Sequence, residues 1–223
     1  MNEPILLTYY VLDLDRTMLD TIKLMTYMEG VIGLYDASLS VLLRQNFNES
    51  SSLGESFSMR DFIVEQVGED EMQKIEVKLK AITATQDLLM PGAIELMTYI
   101  QSLPDVAFGI MTFGSPLGQA MKIEVSGLAE IPFLITQETF KGAVIASWRQ
   151  DDELYHIPQE LGGYVAKKII FVDDKPFSFR GLPIDCRGYL VKSIFDAGIE
   201  DIPPYVQVVD KLTEVITAEK QHQ

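Results

Sequence analysis

The chain has 223 residues, enough for one large domain or for a core that carries an inserted subdomain. Its formal net charge of -15 argues against non-specific binding of nucleic acid or of anionic membranes. A small phosphorylated substrate is still compatible with this charge, because a pocket can be locally positive. The single cysteine, Cys186, excludes an intrachain disulfide and favours a cytoplasmic location, and no apolar run is long enough to span a membrane. The sequence does not indicate the oligomeric state.

The first predicted element is a buried strand over residues 5–12, which are apolar and rich in β-branched and aromatic residues. Helical spacing of apolar residues then continues to about residue 88, interrupted by a loop predicted over the Ser- and Asn-rich residues 46–58. A helical block between a first strand and the next helix–strand unit indicates an inserted subdomain. The predicted division is a helical subdomain over residues 19–88 and a core over residues 1–18 and 89–223.

The rest of the chain alternates helices and strands. Helices are predicted over residues 93–103, 117–125 and 208–216, and strands over residues 106–111, 131–135, 168–172 and 186–191. Residues 143–158 fit either a helix or a hairpin that turns at residues 150–152, and we favour the hairpin. Residues 217–223 are predicted to fray. This alternation predicts an α/β fold with a Rossmann-like, mostly parallel sheet in the core.

Polar side chains follow three of the predicted strands at the point where each strand ends. They are Asp13 and Asp15 after the first strand, Thr112 after the second, and Asp173 and Asp174 after the strand at residues 168–172. The carboxyl ends of parallel strands meet at one edge of a sheet, which is where ligands bind in open α/β folds, so these groups are expected to converge. Lys141 lies in the loop after the third strand and is a candidate to join them.

Such a set of side chains suits phosphate chemistry. Asp13, together with the acidic pair after residue 172, offers the oxygen ligands that Mg²⁺ prefers, and Thr112 and Lys141 offer donors for anionic oxygens. Asp13 and Asp15 are also able to act as a nucleophile and a proton shuttle. Aspartates are common in turns after strands, so the D-x-D-x-T pattern taken alone fits a structural role equally well.

The order of these motifs resembles the haloacid dehalogenase superfamily, and within it the Mg²⁺-dependent phosphatases. The first family motif, a hydrophobic strand followed by D-x-D-x-T, matches residues 13–17. The later motifs match Thr112 after its strand, Lys141 as the lysine, and Asp173 with Asp174 as the acidic strand end. The agreement extends over nearly the whole chain. The family also carries helical caps between its first and second motifs, where residues 19–88 fall.

The resemblance implies a role for each matched residue. Asp13 is implied to attack phosphorus, and Asp15 to protonate the leaving oxygen and then to activate water. The implied groups that bind the phosphoryl group or the rest of the substrate are Thr112, Phe113, Gly114, Lys141 and Arg16, with Thr112 and Lys141 also counted as catalytic. The implied Mg²⁺ ligands are Asp13, the backbone carbonyl of Asp15, Asp173 and Asp174.

The predicted function is therefore Mg²⁺-dependent hydrolysis of a small phosphorylated metabolite through an aspartyl-phosphate. A phosphomutase or phosphotransferase of the same fold and a non-catalytic phosphate-binding regulatory protein are the alternatives. A dehalogenase is disfavoured, because displacing a halide needs neither the Asp15 proton shuttle nor Mg²⁺. Lys141 lies further ahead of Asp173 than the resemblance implies for a lysine at the start of a helix, and the segment that follows it is predicted as a hairpin, so Lys175 is the alternative lysine.

Overall fold

A computed structural model describes residues 7–52, 56–193 and 202–222. The strands are β1 (Leu7–Leu12), β2 (Val106–Phe113), β3 (Phe133–Thr136), β4 (Tyr155–His156), β5 (Val165–Asp173), β6 (Arg187–Val191) and β7 (Val206–Val209). The α-helices are α1 (Thr21–Gly33), α2 (Ala37–Ser52), α3 (Met59–Val67), α4 (Glu69–Thr83), α5 (Ala93–Gln101), α6 (Pro116–Val125), α7 (Lys141–Ser147) and α8 (Leu212–Gln221). Within the described residues, no helix combines the length and the apolar content needed to cross a bilayer.

The chain divides into two compact units. The α/β unit comprises Met1–Met18, Met90–Thr112 and Ile131–Gln223, and the helical unit comprises Leu19–Leu89 and Phe113–Glu130. The helical unit thus includes α6, whereas the predicted division has these residues in the core. An ion pair between Lys80 and Glu124 joins α4 to α6 inside this unit.

The strands of the described chain form one sheet in the order β3-β2-β1-β5-β6-β7, with β4 paired to the start of β5. β1 lies in the middle and pairs in parallel with both β2 and β5. The chain runs outward from β1 to β3 on one side and from β5 to β7 on the other, so the strand order switches between β1 and β5. Ligands bind in open α/β sheets at such a switch point, at the carboxyl ends of the strands. The predicted α/β class with a parallel-sheet core is confirmed.

The apolar composition of β1 suits its central position in the sheet. Residues 9–12 of β1 are all buried, as expected for a strand covered on both faces of a parallel sheet. The core of this unit packs around Tyr9, Phe171 and Phe179, and it includes Trp148, as predicted. Cys186 is buried there too and donates a hydrogen bond to the hydroxyl of Tyr155. Burial raises the pKa of the Cys186 thiol to about 12.

The loop predicted over residues 46–58 is wrong in its first half, because α2 continues to Ser52. The buried side of the helix persists through Leu43 and Phe47, and the intervening polar residues lie outside it. The side chain of Asn46 also donates to the carbonyl of Leu42. A Ser- and Asn-rich composition therefore did not stop the helix. Residues 53–55 lie outside the described residues.

The preference for a hairpin over residues 143–158 is also wrong for its first part, since Lys141–Ser147 form α7. The predicted turn at residues 150–152 does occur. It is closed by a single bridge between Arg149 and Tyr155 and by the amide of His156 donating to the carbonyl of Trp148. Both readings of this segment were partly right, and the helix places Lys141 at a helix start.

The carboxyl-terminal predictions need two corrections. Residues 206–209, the last two of which were predicted to begin a helix, form the edge strand β7, and α8 begins only at Leu212. The fraying predicted over residues 217–223 is wrong for residues 217–221, because α8 continues to Gln221, and residue 223 lies outside the described residues. Glu219 is buried and accepts hydrogen bonds from Arg187 and Tyr189, each at 2.6 Å. These tertiary contacts hold the last turns of the helix in place.

Candidate functional site

Asp13 is the first residue after the central strand. Its backbone N–H still donates to the carbonyl of Val172 at 2.9 Å, so the residue is held against β5. Its side chain is buried, and the hydroxyl of Thr17 donates to Oδ2 at 3.0 Å. Thr17 had no predicted role, although its place in the D-x-D-x-T pattern was the available signal. Thr17 orients the Asp13 carboxylate.

Asp173 ends β5, the neighbouring strand at the switch point. Its side chain is buried, and Oδ1 accepts a hydrogen bond from the backbone N–H of Lys175 at 2.8 Å. The register of β1 against β5 pairs Leu12 with Val172, which places Asp13 and Asp173 side by side at the same edge of the sheet. The prediction that these two carboxylates lie close together is confirmed.

Lys141 connects the two aspartates. Its buried Nζ donates to Asp13 Oδ1 and, at 2.8 Å, to Asp173 Oδ2. Burial by itself would lower the pKa of Lys141, but the two carboxylates and their hydrogen bonds raise it above the ordinary value. The ammonium is therefore a permanent positive charge between two acidic strand ends. Lys175, the alternative lysine, lies instead with its Nζ 5.6 Å from the ring centre of Phe177.

The charged form of Asp13 is destabilised, although Lys141 lies beside it. Burial, followed by the charge of Asp173, raises the pKa of Asp13 to about 6, while Lys141 opposes this shift and Asp15 adds to it. One ammonium does not fully compensate three neighbouring carboxylates. A divalent cation at the same place would supply the missing positive charge.

Within the described part of the chain, the surroundings of Asp174 also lack the positive charge and the hydrogen-bond donors that a buried carboxylate needs. The residue is buried, and neither of its carboxylate oxygens has a hydrogen-bond partner among the described residues. Burial, and then the charges of Asp13 and Asp173, raise the pKa of Asp174 well above its usual range. One oxygen from each of these three residues lies within 4.8 Å of the others. Oxygens bound to one Mg²⁺ lie about 3–4 Å apart, so the three carboxylates fit a hard divalent cation.

This arrangement predicts opposite effects of Asp174→Asn with and without metal. Removing an unpaired buried charge is expected to raise the unfolding free energy of the metal-free protein by about 1 kcal/mol. The stabilisation that Mg²⁺ provides in the wild type should at the same time be lost. Thermal unfolding in chelator and in millimolar Mg²⁺ measures both effects. The exposed Asp151→Asn is the matched control and should change neither; a metal-free Asp174→Asn protein less stable than wild type would contradict the prediction.

The loop between Asp13 and Met18 is not a continuation of the strand. β1 ends at Leu12, so the alternation that would place Asp13 and Asp15 on one side of a strand does not apply. Arg16 has φ of 64°, the left-handed region that a non-glycine side chain rarely adopts. Its guanidinium is partly buried; burial lowers the pKa of Arg16, and the charges of Asp174 and Asp15 oppose that shift. Arg16 thus contributes a second positive charge to this acidic edge.

The positive φ at Arg16 predicts an unusual order of stabilities. Arg16→Gly should be more stable than Arg16→Ala by about 1 kcal/mol, because only glycine adopts this backbone conformation without steric cost. Both variants lose the same charge, so the difference between their unfolding free energies reports the backbone strain at residue 16. Chemical denaturation of the two proteins gives the comparison. Equal stabilities would mean that residue 16 does not hold the left-handed conformation in solution.

The second motif is divided between the two units. Thr112 is buried near the carboxyl end of β2 in the α/β unit, on the strand next to β1. Phe113 and Gly114 belong to the helical unit, where the carbonyl of Phe113 accepts a hydrogen bond from the side chain of Gln119 at 3.0 Å. The assignment of Thr112, Phe113 and Gly114 to phosphate binding stays a prediction.

Comparison with known proteins finds similarity in structure only. A scan against protein-family models gives no match, and a search of curated proteins gives none either. A protein from Burkholderia xenovorans LB400 described as a haloacid dehalogenase-like hydrolase superposes with a TM-score of 0.61 at 16% identity, over 94% of this chain and 97% of its own. The HAD-hydrolase YfnB from Bacillus subtilis, solved with bound magnesium, gives 0.56 at 15% identity, over 96% and 98%.

A third similar structure is a mutant of CbbY from Rhodobacter sphaeroides in complex with xylulose-(1,5)-bisphosphate. It superposes with a TM-score of 0.53 at 14% identity, over 94% of this chain and 96% of its own. The matches cover nearly the full length of both partners. The chain therefore has the fold of the haloacid dehalogenase superfamily.

Proposed function

We propose that the protein is an Mg²⁺-dependent phosphomonoester hydrolase that acts on a small phosphorylated metabolite. The observation that carries this proposal is the group of three buried carboxylates at the switch point, of which Lys141 bridges only Asp13 and Asp173, so that the group is still short of positive charge. A phosphoryl group and a divalent cation together complete such a site. Two of the similar structures support this choice, since one holds magnesium and another a sugar bisphosphate.

In the proposed reaction, a carboxylate oxygen of Asp13 attacks phosphorus, and the bond from phosphorus to the leaving oxygen breaks. Asp15 gives its proton to that oxygen. A water molecule then attacks the aspartyl-phosphate, Asp15 takes its proton, and the bond between Asp13 and phosphorus breaks to release phosphate. Lys141 and Thr112 bind phosphoryl oxygens, and Lys141 also holds Asp13 in place.

Mg²⁺ would be held by Asp13, the backbone carbonyl of Asp15, Asp173 and Asp174, and it would neutralise charge that develops on the phosphoryl oxygens. Arg16, Phe113 and Gly114 are proposed to contact the substrate. The assignment of residues 19–88 as a cap that selects the leaving group belongs to this proposal, as does the cytoplasmic location.

A panel of phosphorylated metabolites, with released phosphate as the readout, tests the proposal. We expect turnover of at least one class of phosphomonoester, lost on addition of chelator and restored by Mg²⁺. Transfer of the phosphoryl group to a second hydroxyl without free phosphate would identify a phosphotransferase. Halide release from a 2-haloacid would identify a dehalogenase, a class that also occurs among the similar structures. Absence of all three activities would favour a binding protein.

A further inference from the structure

Helix α7, which begins at Lys141, packs its first turn directly against the backbone of the segment that follows β5. A Cβ atom on Gly142 would lie 2.7 Å from the carbonyl oxygen of Arg180 and 2.7 Å from the backbone N of Leu182. Gly181 faces the same contact from the opposite side, and a Cβ there would lie 3.1 Å from Cα of Ala143. The two stretches of backbone touch because each carries a glycine at the point of contact.

This contact belongs to the same piece of chain as the site. The 3₁₀ helix Pro176–Phe179 begins three residues after Asp173, and the segment that touches α7 comes directly after it. The guanidinium of Arg180 also lies 5.3 Å from the ring centre of Phe140, the residue before α7. The chain that supplies Asp173 therefore also supports the helix that supplies its partner Lys141.

We propose that Gly142 and Gly181 are positioning residues for Lys141. They let α7 approach the segment after β5 closely enough for one ammonium to reach both Asp13 and Asp173. Adjacent residues point about 100° apart around a helix, so Gly142 faces the supporting backbone while Lys141 faces the carboxylates. A Cβ on Gly142 would need a shift of roughly 0.8 Å to reach an ordinary contact of about 3.5 Å.

The role of Lys141 in turnover rests on the proposed function, whereas its ion pairs are features of the structure itself. Two readouts are therefore needed, one of turnover and one of stability in the absence of metal. Gly142→Ala is the test variant. Gly30→Ala is its matched control, because Gly30 is also helical but nothing lies within 4 Å of an added Cβ. The control should keep full turnover and unfold at the same or a higher temperature.

For turnover of an aryl phosphate, Gly142→Ala is expected to lose a factor on the order of 10–100, the effect of displacing a group by up to about 1 Å. In a Lys141→Met background the same substitution should cause no further loss, because the group it displaces is gone. Wild-type turnover in Gly142→Ala, or an equal loss in both backgrounds, would overturn the proposal.

The stability readout does not depend on any activity. In chelator, Lys141→Met should lower the unfolding midpoint of Gly142→Ala by less than it lowers that of the wild type, because the displaced lysine has already lost its ion pairs. Additive shifts would overturn the proposal even if the wild type proved to be a phosphatase. If the wild type had no phosphatase activity, the proposed function would be wrong, but this stability test of the glycine contact would still be valid.

A Gly142→Ala protein that does not fold would be replaced by Gly181→Ala in both readouts. Gly181 has φ of 78°, and Gly127, with φ of 76° and open space around it, is its matched control for backbone strain. Gly181→Ala should lose more turnover than Gly127→Ala, and should show the same dependence on Lys141. Equal effects of the two substitutions would overturn the proposal.

Discussion

Asp13→Asn is expected to abolish Mg²⁺-dependent hydrolysis of an aryl phosphate, with a loss of at least roughly 10³-fold in kcat. The amide oxygen of asparagine is a poor nucleophile, so the aspartyl-phosphate does not form. The substitution should also weaken Mg²⁺ binding, since Asp13 is one of the three clustered carboxylates. Phosphate release measured at saturating Mg²⁺ reports the loss of the nucleophile separately from the weaker binding of Mg²⁺.

The variant should nevertheless fold. Lys141 keeps its 2.8 Å hydrogen bond to Asp173, and repulsion among the carboxylates falls when Asp13 loses its charge. The unfolding midpoint in chelator is therefore expected to stay near that of the wild type, so a loss of turnover is not a loss of structure. A folded Asp13→Asn protein with wild-type activity would remove Asp13 from its role as nucleophile.

Lys141→Met is expected to lower both turnover and stability. Methionine approximates the length of the lysine stem but leaves Asp13 and Asp173 buried without their shared partner. Loss of one side of a buried ion pair typically costs about 3–5 kcal/mol of unfolding free energy. Denaturant unfolding in chelator should show this loss, and Mg²⁺ should recover part of it by supplying positive charge to the same carboxylates.

Lys175→Ala is the matched control, because Lys175 lies on the same edge of the sheet but its side chain is placed near Phe177. It should lose less than about one tenth of the stability that Lys141→Met loses and keep most of its turnover. The reverse result, with Lys175→Ala inactive and Lys141→Met active, would transfer the role of the family lysine to Lys175.

The position of each acidic group was predictable, because local patterns decide where a strand stops. An apolar run that ends in Asp13, and another that ends in Asp173, indicate the carboxyl ends of two buried strands. The α/β class followed from the alternation of strands and helices. The errors occurred where local composition was ambiguous, as in residues 46–52 and 206–209, and there burial against the rest of the chain decided the outcome.

Lys141 shows the limit of local reasoning most clearly. Its sequence surroundings fitted a hairpin, and its distance from Asp173 along the chain made Lys175 a reasonable rival. The choice between them depends on which ammonium reaches both carboxylates, and on the glycine contact that lets α7 approach. Neither is encoded in a short window of sequence, because both involve residues far apart in the chain.

The sequence by itself determined which residues carry charge and that they follow buried strands. The tertiary structure decided that Asp13 and Asp173 share one lysine, that Asp174 has no hydrogen-bond partner within the described chain, and that Arg16 adopts a left-handed backbone. The physical reason is that strand register and side-chain burial arise only when distant segments pack together. Carboxylates that water would stabilise on a surface are destabilised when they are buried together, and a bound cation then stabilises them.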